Sequence, residues 1–76
     1  MYTYRIVTDD LGVLVFGRPF GARLVRALGV VDGKPLLATY NVDAGAWSRG
    51  ETDLSPALAV QILERMQSTF AEAFPK

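Results

Sequence analysis

The sequence predicts an α+β domain of two layers, a four-stranded antiparallel β-meander with one C-terminal amphipathic helix packed on one face. Two observations lead to this prediction. Residues 2–42 alternate runs of β-branched and aromatic residues with Gly, Pro and Asp, which is typical of strands joined by tight turns. Residues 55–74 instead repeat their apolar residues at helical spacing. Strands followed by a helix favour an antiparallel sheet with the helix on one side.

The helix is predicted from Ser55 to Phe74. Ser55 is a suitable N-cap, and Pro56 suits the first helical position because its missing amide would have no partner there. Pro75 ends the pattern. The apolar stripe consists of Ala59, Ile62, Leu63, Met66, Phe70, Ala73 and Phe74.

The first hairpin is predicted to join strands Tyr2–Thr8 and Val13–Gly17 through the turn Asp9–Gly12. Pairing Thr8 with Val13 sorts the side chains onto two faces, because successive residues of a strand point to opposite sides. One face carries Tyr4, Ile6, Val13 and Val15, and the other carries Arg5, Val7, Leu14, Phe16 and Arg18. Both faces are therefore partly apolar.

The second hairpin centres on Asp32-Gly33, a strong signal for a two-residue turn. Arg18–Gly21 interrupts the sheet before it, and Pro35–Val42 is strand-like after it. Residues 22–31 are favoured as a strand, although a short helix ending near Gly29 also fits their spacing. Residues 43–53 are predicted to be a mobile, glycine-bearing connector.

Composition indicates a single domain, 1–76, that needs an interaction partner. Half of its residues are hydrophobic, which is more apolar surface than the core of so small a domain can bury. The chain also has no cysteine that could form a stabilising disulfide. Self-association, or a permanent partner, is expected. Without a signal peptide or an apolar run long enough to span a bilayer, we expect a cytoplasmic protein that is not in a membrane.

The residue types present argue against catalysis. The chain lacks both histidine and cysteine, which excludes a Ser-His-Asp triad, a cysteine nucleophile and a histidine-bearing zinc centre. The adjacent carboxylates Asp9 and Asp10 are interpreted as turn residues, and residues 17–23 lack the ending of a phosphate-binding loop. We therefore expect no enzyme, and no catalytic, cofactor-binding or metal-binding residues.

Arginine and aromatic residues are the candidates for partner binding. Arg5 and Arg18 share a predicted sheet face with Phe16, and Trp47 with Arg49 has the composition of an interaction hot spot. The alternatives are solvated arginines paired with nearby aspartates, and an indole of Trp47 that folds back onto the core. The full candidate set is Arg5, Phe16, Arg18, Arg23, Arg26, Trp47 and Arg49.

These observations lead to a non-enzymatic protein–protein interaction module as the expected function. Small proteins of this profile are often inhibitors or adaptors, including phage-encoded ones, and a homodimer that binds a protein target is expected. The alternative is a nucleic-acid-binding protein that uses an arginine and aromatic sheet face, with affinity that falls steeply with salt. Since the formal net charge is zero, this alternative is the weaker one.

Overall fold

The computed structural model describes residues 1–75, and it confirms the α+β architecture of a sheet with one helix on one face. The sheet is an antiparallel meander in the order β1-β2-β3-β4-β5. Its strands are β1 (Tyr2–Asp9), β2 (Gly12–Pro19), β3 (Leu24–Val31), β4 (Lys34–Asn41) and a short β5 (Ala46–Trp47). Helix α1 (Pro56–Thr69) and a 3-10 turn (Ala71–Ala73) follow. Residues 22–31 therefore supply a strand rather than a helix, and β5 is an addition to the predicted four strands.

Helix α1 begins as predicted and ends earlier than predicted. The Ser55 hydroxyl accepts a hydrogen bond from the Leu58 amide at 3.2 Å, and Pro56 is the first helical residue. The helix stops at Thr69 because Phe70 leaves helical geometry, with φ −124° and ψ 58°. The prediction of one helix through Phe74 was therefore wrong. The break keeps Phe70 in the core while the 3-10 turn brings Ala73 back to it, and both are almost fully buried.

The register of the sheet decides which face the helix covers. Thr8 pairs with Val13, as predicted. Directly paired residues share a face, so rows of side chains run across all four long strands. The two central rows under α1 are Val7-Leu14-Gly29-Leu36 and Arg5-Phe16-Ala27-Ala38. The core they form with the helix is Leu14, Phe16, Val25, Ala27, Val31, Leu36, Ala38, Ile62, Met66, Phe70 and Ala73.

Gly29 lies at the tightest point of this covered face. A Cβ built at Gly29 would lie 2.4 Å from the backbone oxygen of Val13 and 2.9 Å from the side chain of Leu14. The strands approach too closely there for any other residue. The adjoining hairpin turns as predicted, since Asp32 and Gly33 both have positive φ, 53° and 73°.

The connector between β4 and α1 is tied to the sheet, in contrast to its predicted mobility. Trp47 pairs with Tyr40 in the short strand β5. Further along, the Ser48 amide donates to the Thr39 carbonyl at 2.8 Å, and the Thr52 amide donates to the Leu37 carbonyl at 2.9 Å. The connector therefore covers the outer edge of β4. Among the described residues, no helix is both long and apolar enough to cross a membrane.

Candidate functional site

The face of the sheet opposite α1 exposes a continuous set of large apolar side chains. We call this surface the open face. Each member is between 40% and 71% exposed, and together they present on the order of 700 Å² to solvent. Soluble monomers seldom expose contiguous apolar patches larger than a few hundred Å², and larger patches mark interaction sites. The open face consists of Tyr2, Tyr4, Ile6, Val13, Leu28, Val30 and Leu37.

The open face is continuous because the hairpins place apolar residues opposite one another. Each row crosses β1, β2, β3 and β4 in turn, and every position is one residue out of phase with the core rows on the other side. The two rows are Ile6-Val15-Leu28-Leu37 and Thr8-Val13-Val30-Pro35. Neither row contains a charge. The regular sheet therefore holds these side chains in fixed positions before any partner binds.

Two tyrosines and a glycine form a shallow hollow at one end of the open face. The ring of Tyr4 lies over Gly17, where an added Cβ would approach the ring to 3.0 Å. The ring of Tyr2 stacks on Tyr4 with centroids 5.5 Å apart and 11° between the planes. The resulting hollow has a volume of about 410 Å³ and is lined mainly by Tyr2, Tyr4, Val15, Gly17, Arg26, Leu28 and Leu37.

Arg26 is the cation of this hollow, and it lies opposite Gly17 on the same side of the sheet as the open face. Its Nε donates to the Thr39 hydroxyl at 3.3 Å, and that hydroxyl donates to the Glu51 carboxylate at 3.1 Å. Arg26 is exposed to solvent. A partner that fills the hollow can therefore meet one oriented guanidinium at its rim.

Helix α1 covers the centre of the predicted face of Arg5, Phe16 and Arg18, whereas Arg5 at its edge is exposed and lines a hollow of about 380 Å³ together with Arg18. Phe16 is 0% exposed and lies at the centre of the core. Arg18 donates through Nε to the Ala22 carbonyl at 2.9 Å and pairs with Glu72 at 3.2 Å. Phe16 is therefore a core residue that no partner can touch. The register confirms the prediction that Arg5, Arg18 and Phe16 share one sheet face, whereas the prediction that Phe16 is available to a partner was wrong.

The remaining candidates, Arg23, Arg49 and Trp47, have different surroundings. Arg23 pairs with Asp43 at 2.5 Å, the aspartate pairing considered as the alternative, and Arg49 is an exposed residue of the connector. Trp47 is partly buried and meets the ring of Tyr40 edge-on, with centroids 5.0 Å apart and 67° between planes. Its indole therefore packs at one end of the core, on the side opposite the open face.

The acidic hairpin turn joins the sheet to the helix. Arg65 of α1 donates through Nε to Asp9 at 2.6 Å and through Nη2 to Asp10 at 3.2 Å. The hydrogen bond from Arg65, followed by that from the Leu11 amide, holds the pKa of Asp9 below its usual value. These ion pairs connect the first hairpin turn to α1 at the surface of the protein. Within residues 1–75, no three acidic side chains come together as metal ligands.

Most of the open face was not predicted from the sequence. The alternation placed Tyr4, Ile6, Val13 and Val15 on one side of the first hairpin, but the predicted binding residues were arginines, Phe16 and Trp47. The Asp32-Gly33 turn pairs Leu28 with Leu37, whereas the register of β2 with β3, which puts them on the face of Val13 and Val15, has no such turn signal. Comparison of the chain with protein-family models, with curated proteins and with solved structures finds no match.

Proposed function

We propose that this protein is a non-enzymatic interaction module that binds a protein partner through its open face, as a small inhibitor or adaptor does. One observation supports this most strongly: seven large apolar side chains stay 40–71% exposed on one side of a regular sheet. The single helix is fully occupied on the other side, where Ile62 and Met66 are 0% exposed. Nothing else in residues 1–75 can cover the open face.

The size of the open face suits a stable protein interface. Each partner in an interface of standard size contributes about 800 Å². The seven residues expose on the order of 700 Å² in total, which is most of one partner's share of such an interface. The affinity for a partner is set by how well a few central side chains fit it and does not follow from the area.

The chemistry of the open face indicates an apolar partner surface with an acidic group near one end. Tyrosines are enriched in interface hot spots, and Tyr2 with Tyr4 supplies a stacked pair. Arg26 at the rim of the hollow matches a carboxylate of the partner. No observation favours nucleic acid in the same way, since Arg5 and Arg18 lie on the helix side of the sheet and Arg26 lies on the other.

Site-specific photo-crosslinking tests the proposal. A benzophenone amino acid at Leu28 probes the open face, and the same probe at Val60 is a matched control, because Val60 is 58% exposed on α1 and Leu28 is 55% exposed. We expect a discrete product with another protein from Leu28 and none from Val60 in cells that make the protein.

Binding to the purified crosslinked partner supplies the quantitative test. Leu28→Lys places a charge inside the interface, and we expect the affinity to fall at least about tenfold, whereas Val60→Lys leaves it unchanged. Equal affinity for the two variants, or a discrete product from neither probe position, would contradict the proposal. A product made only with a second copy of this chain would contradict it as well, because the open face would then serve self-association instead of a target.

A further inference from the structure

The outer edge of β1 presents a row of backbone groups, of which all but one lack a partner among the described residues. Phe20 donates its amide to the Met1 carbonyl at 2.7 Å, and the register of β1 with β2 is continuous from Tyr2 to Asp9. In an antiparallel pair, alternate residues bond to the neighbouring strand and the others turn outward. The odd-numbered residues of β1 therefore bond to β2. The residues whose amides and carbonyls turn outward are Tyr2, Tyr4, Ile6 and Thr8.

These outward groups have almost no partners within residues 1–75. One of them is engaged, the Tyr4 carbonyl, which accepts from Nη1 of the exposed Arg5 side chain at 2.9 Å. The strand is eight residues long and contains no proline, lysine or bulge. Natural sheets usually protect an exposed edge with such devices, because an unprotected edge pairs with another strand.

At the opposite edge of the sheet, the connector protects the outward backbone groups of β4. On β4 the outward positions are the odd-numbered ones, and Pro35 has no amide to offer. Leu37 bonds to Thr52 through both its amide and its carbonyl, and the carbonyls of Thr39 and Asn41 accept from the connector. The outer edge of β4 is thus paired with the connector along its length, whereas the outer edge of β1 is unpaired except at the Tyr4 carbonyl.

We infer that the edge of β1 binds β1 of a second copy of this chain in antiparallel orientation, which forms a two-fold dimer with one continuous sheet. The charges of β1 favour this occupant. Its cation, Arg5, lies in the first half, and its acid, Asp9, lies at the hairpin end next to Asp10 of the turn. Both acids also contact Arg65 of their own chain. Antiparallel pairing brings the cation of one copy towards the acids of the other, whereas parallel pairing would align like charges.

Charge and the number of backbone hydrogen bonds together limit the register of the dimer. With Ile6 on the two-fold axis, Tyr4 pairs with Thr8 of the second copy, and Arg5 lies opposite Val7 of that copy, with its Asp9 and its Arg5 as diagonal neighbours. With Arg5 on the axis, two guanidinium groups would lie directly opposite, which is destabilising. Moving the axis to Val7 would place Arg5 opposite Asp9 of the second copy, but it would leave about four backbone hydrogen bonds between the copies instead of about six. We therefore favour the Ile6-centred register.

This dimer leaves the open face accessible. The two-fold axis of an antiparallel pair is perpendicular to the sheet, so both open faces lie on the same side and both helices on the other. The edge and the open face are thus separate surfaces, and the two proposals can fail independently.

Thr8→Pro tests the edge without disturbing the pairing of β1 with β2, because the Thr8 amide points outward and proline is tolerated at such positions. Thr8→Ala keeps the amide and is the matched control. We expect wild type and Thr8→Ala to sediment as dimers at micromolar concentration. In Thr8→Pro the two-fold symmetry removes two hydrogen bonds, and the dissociation constant rises about tenfold or more.

Amide hydrogen exchange of the wild type checks the same contact without any substitution. In the dimer the amides of Tyr4, Ile6 and Thr8 exchange as slowly as those of Arg5 and Val7, and they lose this protection on dilution. A strict monomer at the highest soluble concentration would overturn the inference. A dimer that survives Thr8→Pro while the amides of Tyr4, Ile6 and Thr8 stay unprotected would overturn it too, because the copies would then meet elsewhere.

Discussion

Leu14 and Leu28 offer a direct test of which sheet face is covered, because the same residue type occurs on both sides of one sheet. Leu14 is 0% exposed in the core, and Leu28 is 55% exposed on the open face. Both are replaced by alanine. A difference in the free energy of unfolding between the two variants then reports the difference in burial, with side-chain chemistry held constant.

The expected magnitudes follow from the burial of each side chain. Leu14→Ala loses the transfer free energy of the removed atoms and leaves a cavity beneath α1, so the unfolding free energy falls by about 2–5 kcal/mol. Full burial of a leucine is worth about 1.5–3 kcal/mol, and Leu28 has less than half of that to lose and leaves no cavity. We expect a cost of about 1 kcal/mol or less for Leu28→Ala.

Urea unfolding followed by circular dichroism and by Trp47 fluorescence measures both variants. Because about 1 kcal/mol shifts the melting temperature of a domain this size by roughly 4–8 °C, the two variants are also well separated in a thermal scan. The scans are run at several protein concentrations, so that stabilisation by association is visible. Equal costs for the two substitutions at the lowest concentration would refute the assignment of the two faces.

Three further substitutions test individual contacts. Gly29→Ala forces a Cβ to within 2.4 Å of the Val13 oxygen, so we expect a loss of at least about 1–3 kcal/mol by urea unfolding, and an unchanged midpoint would contradict the close approach. Ser55→Ala removes the helix cap and should cost about 1 kcal/mol in the same assay, whereas no change would show that water replaces the hydroxyl. Asp9→Asn removes the negative charge that pairs with Arg65. Since the pKa of Asp9 is lowered from 3.8, this contact stabilises the fold above about pH 4 and is lost as the pH falls through the depressed value. The variant should therefore be less stable than wild type at pH 7 and should converge with it in acid unfolding series, whereas a constant difference across pH would contradict this assignment.

Local sequence signals predicted the elements of the fold because each depends on a few neighbouring residues. The capping serine and the following proline placed the start of α1, and the Asp32-Gly33 pair placed a hairpin. The end of α1 was not predictable in this way. Phe70 and Ala73 fit a continuous helical stripe, and only contact with the sheet makes the break at Phe70 favourable.

The burial of Phe16, one of the predicted binding residues, was not predictable for a related reason. Alternation correctly put Arg5, Arg18 and Phe16 on one face, but alternation cannot say whether another layer covers that face. An arginine at the edge of a covered face extends past the helix into solvent, whereas the aromatic ring at the centre is enclosed. The large exposed apolar side chains of the strands lie on the opposite face.

The sequence by itself determined the strands, the turns, the amphipathic helix and the presence of two apolar sheet faces, since these follow from local conformational preference and from the period of the apolar residues. Only the tertiary structure decided which face the helix covers. Small residues at Ala27, Gly29 and Ala38 share one face and leave room for the helix to approach closely, whereas the bulkier Leu28, Val30 and Leu37 occupy the other. Close packing of the helix against the first of these faces leaves the second exposed to water.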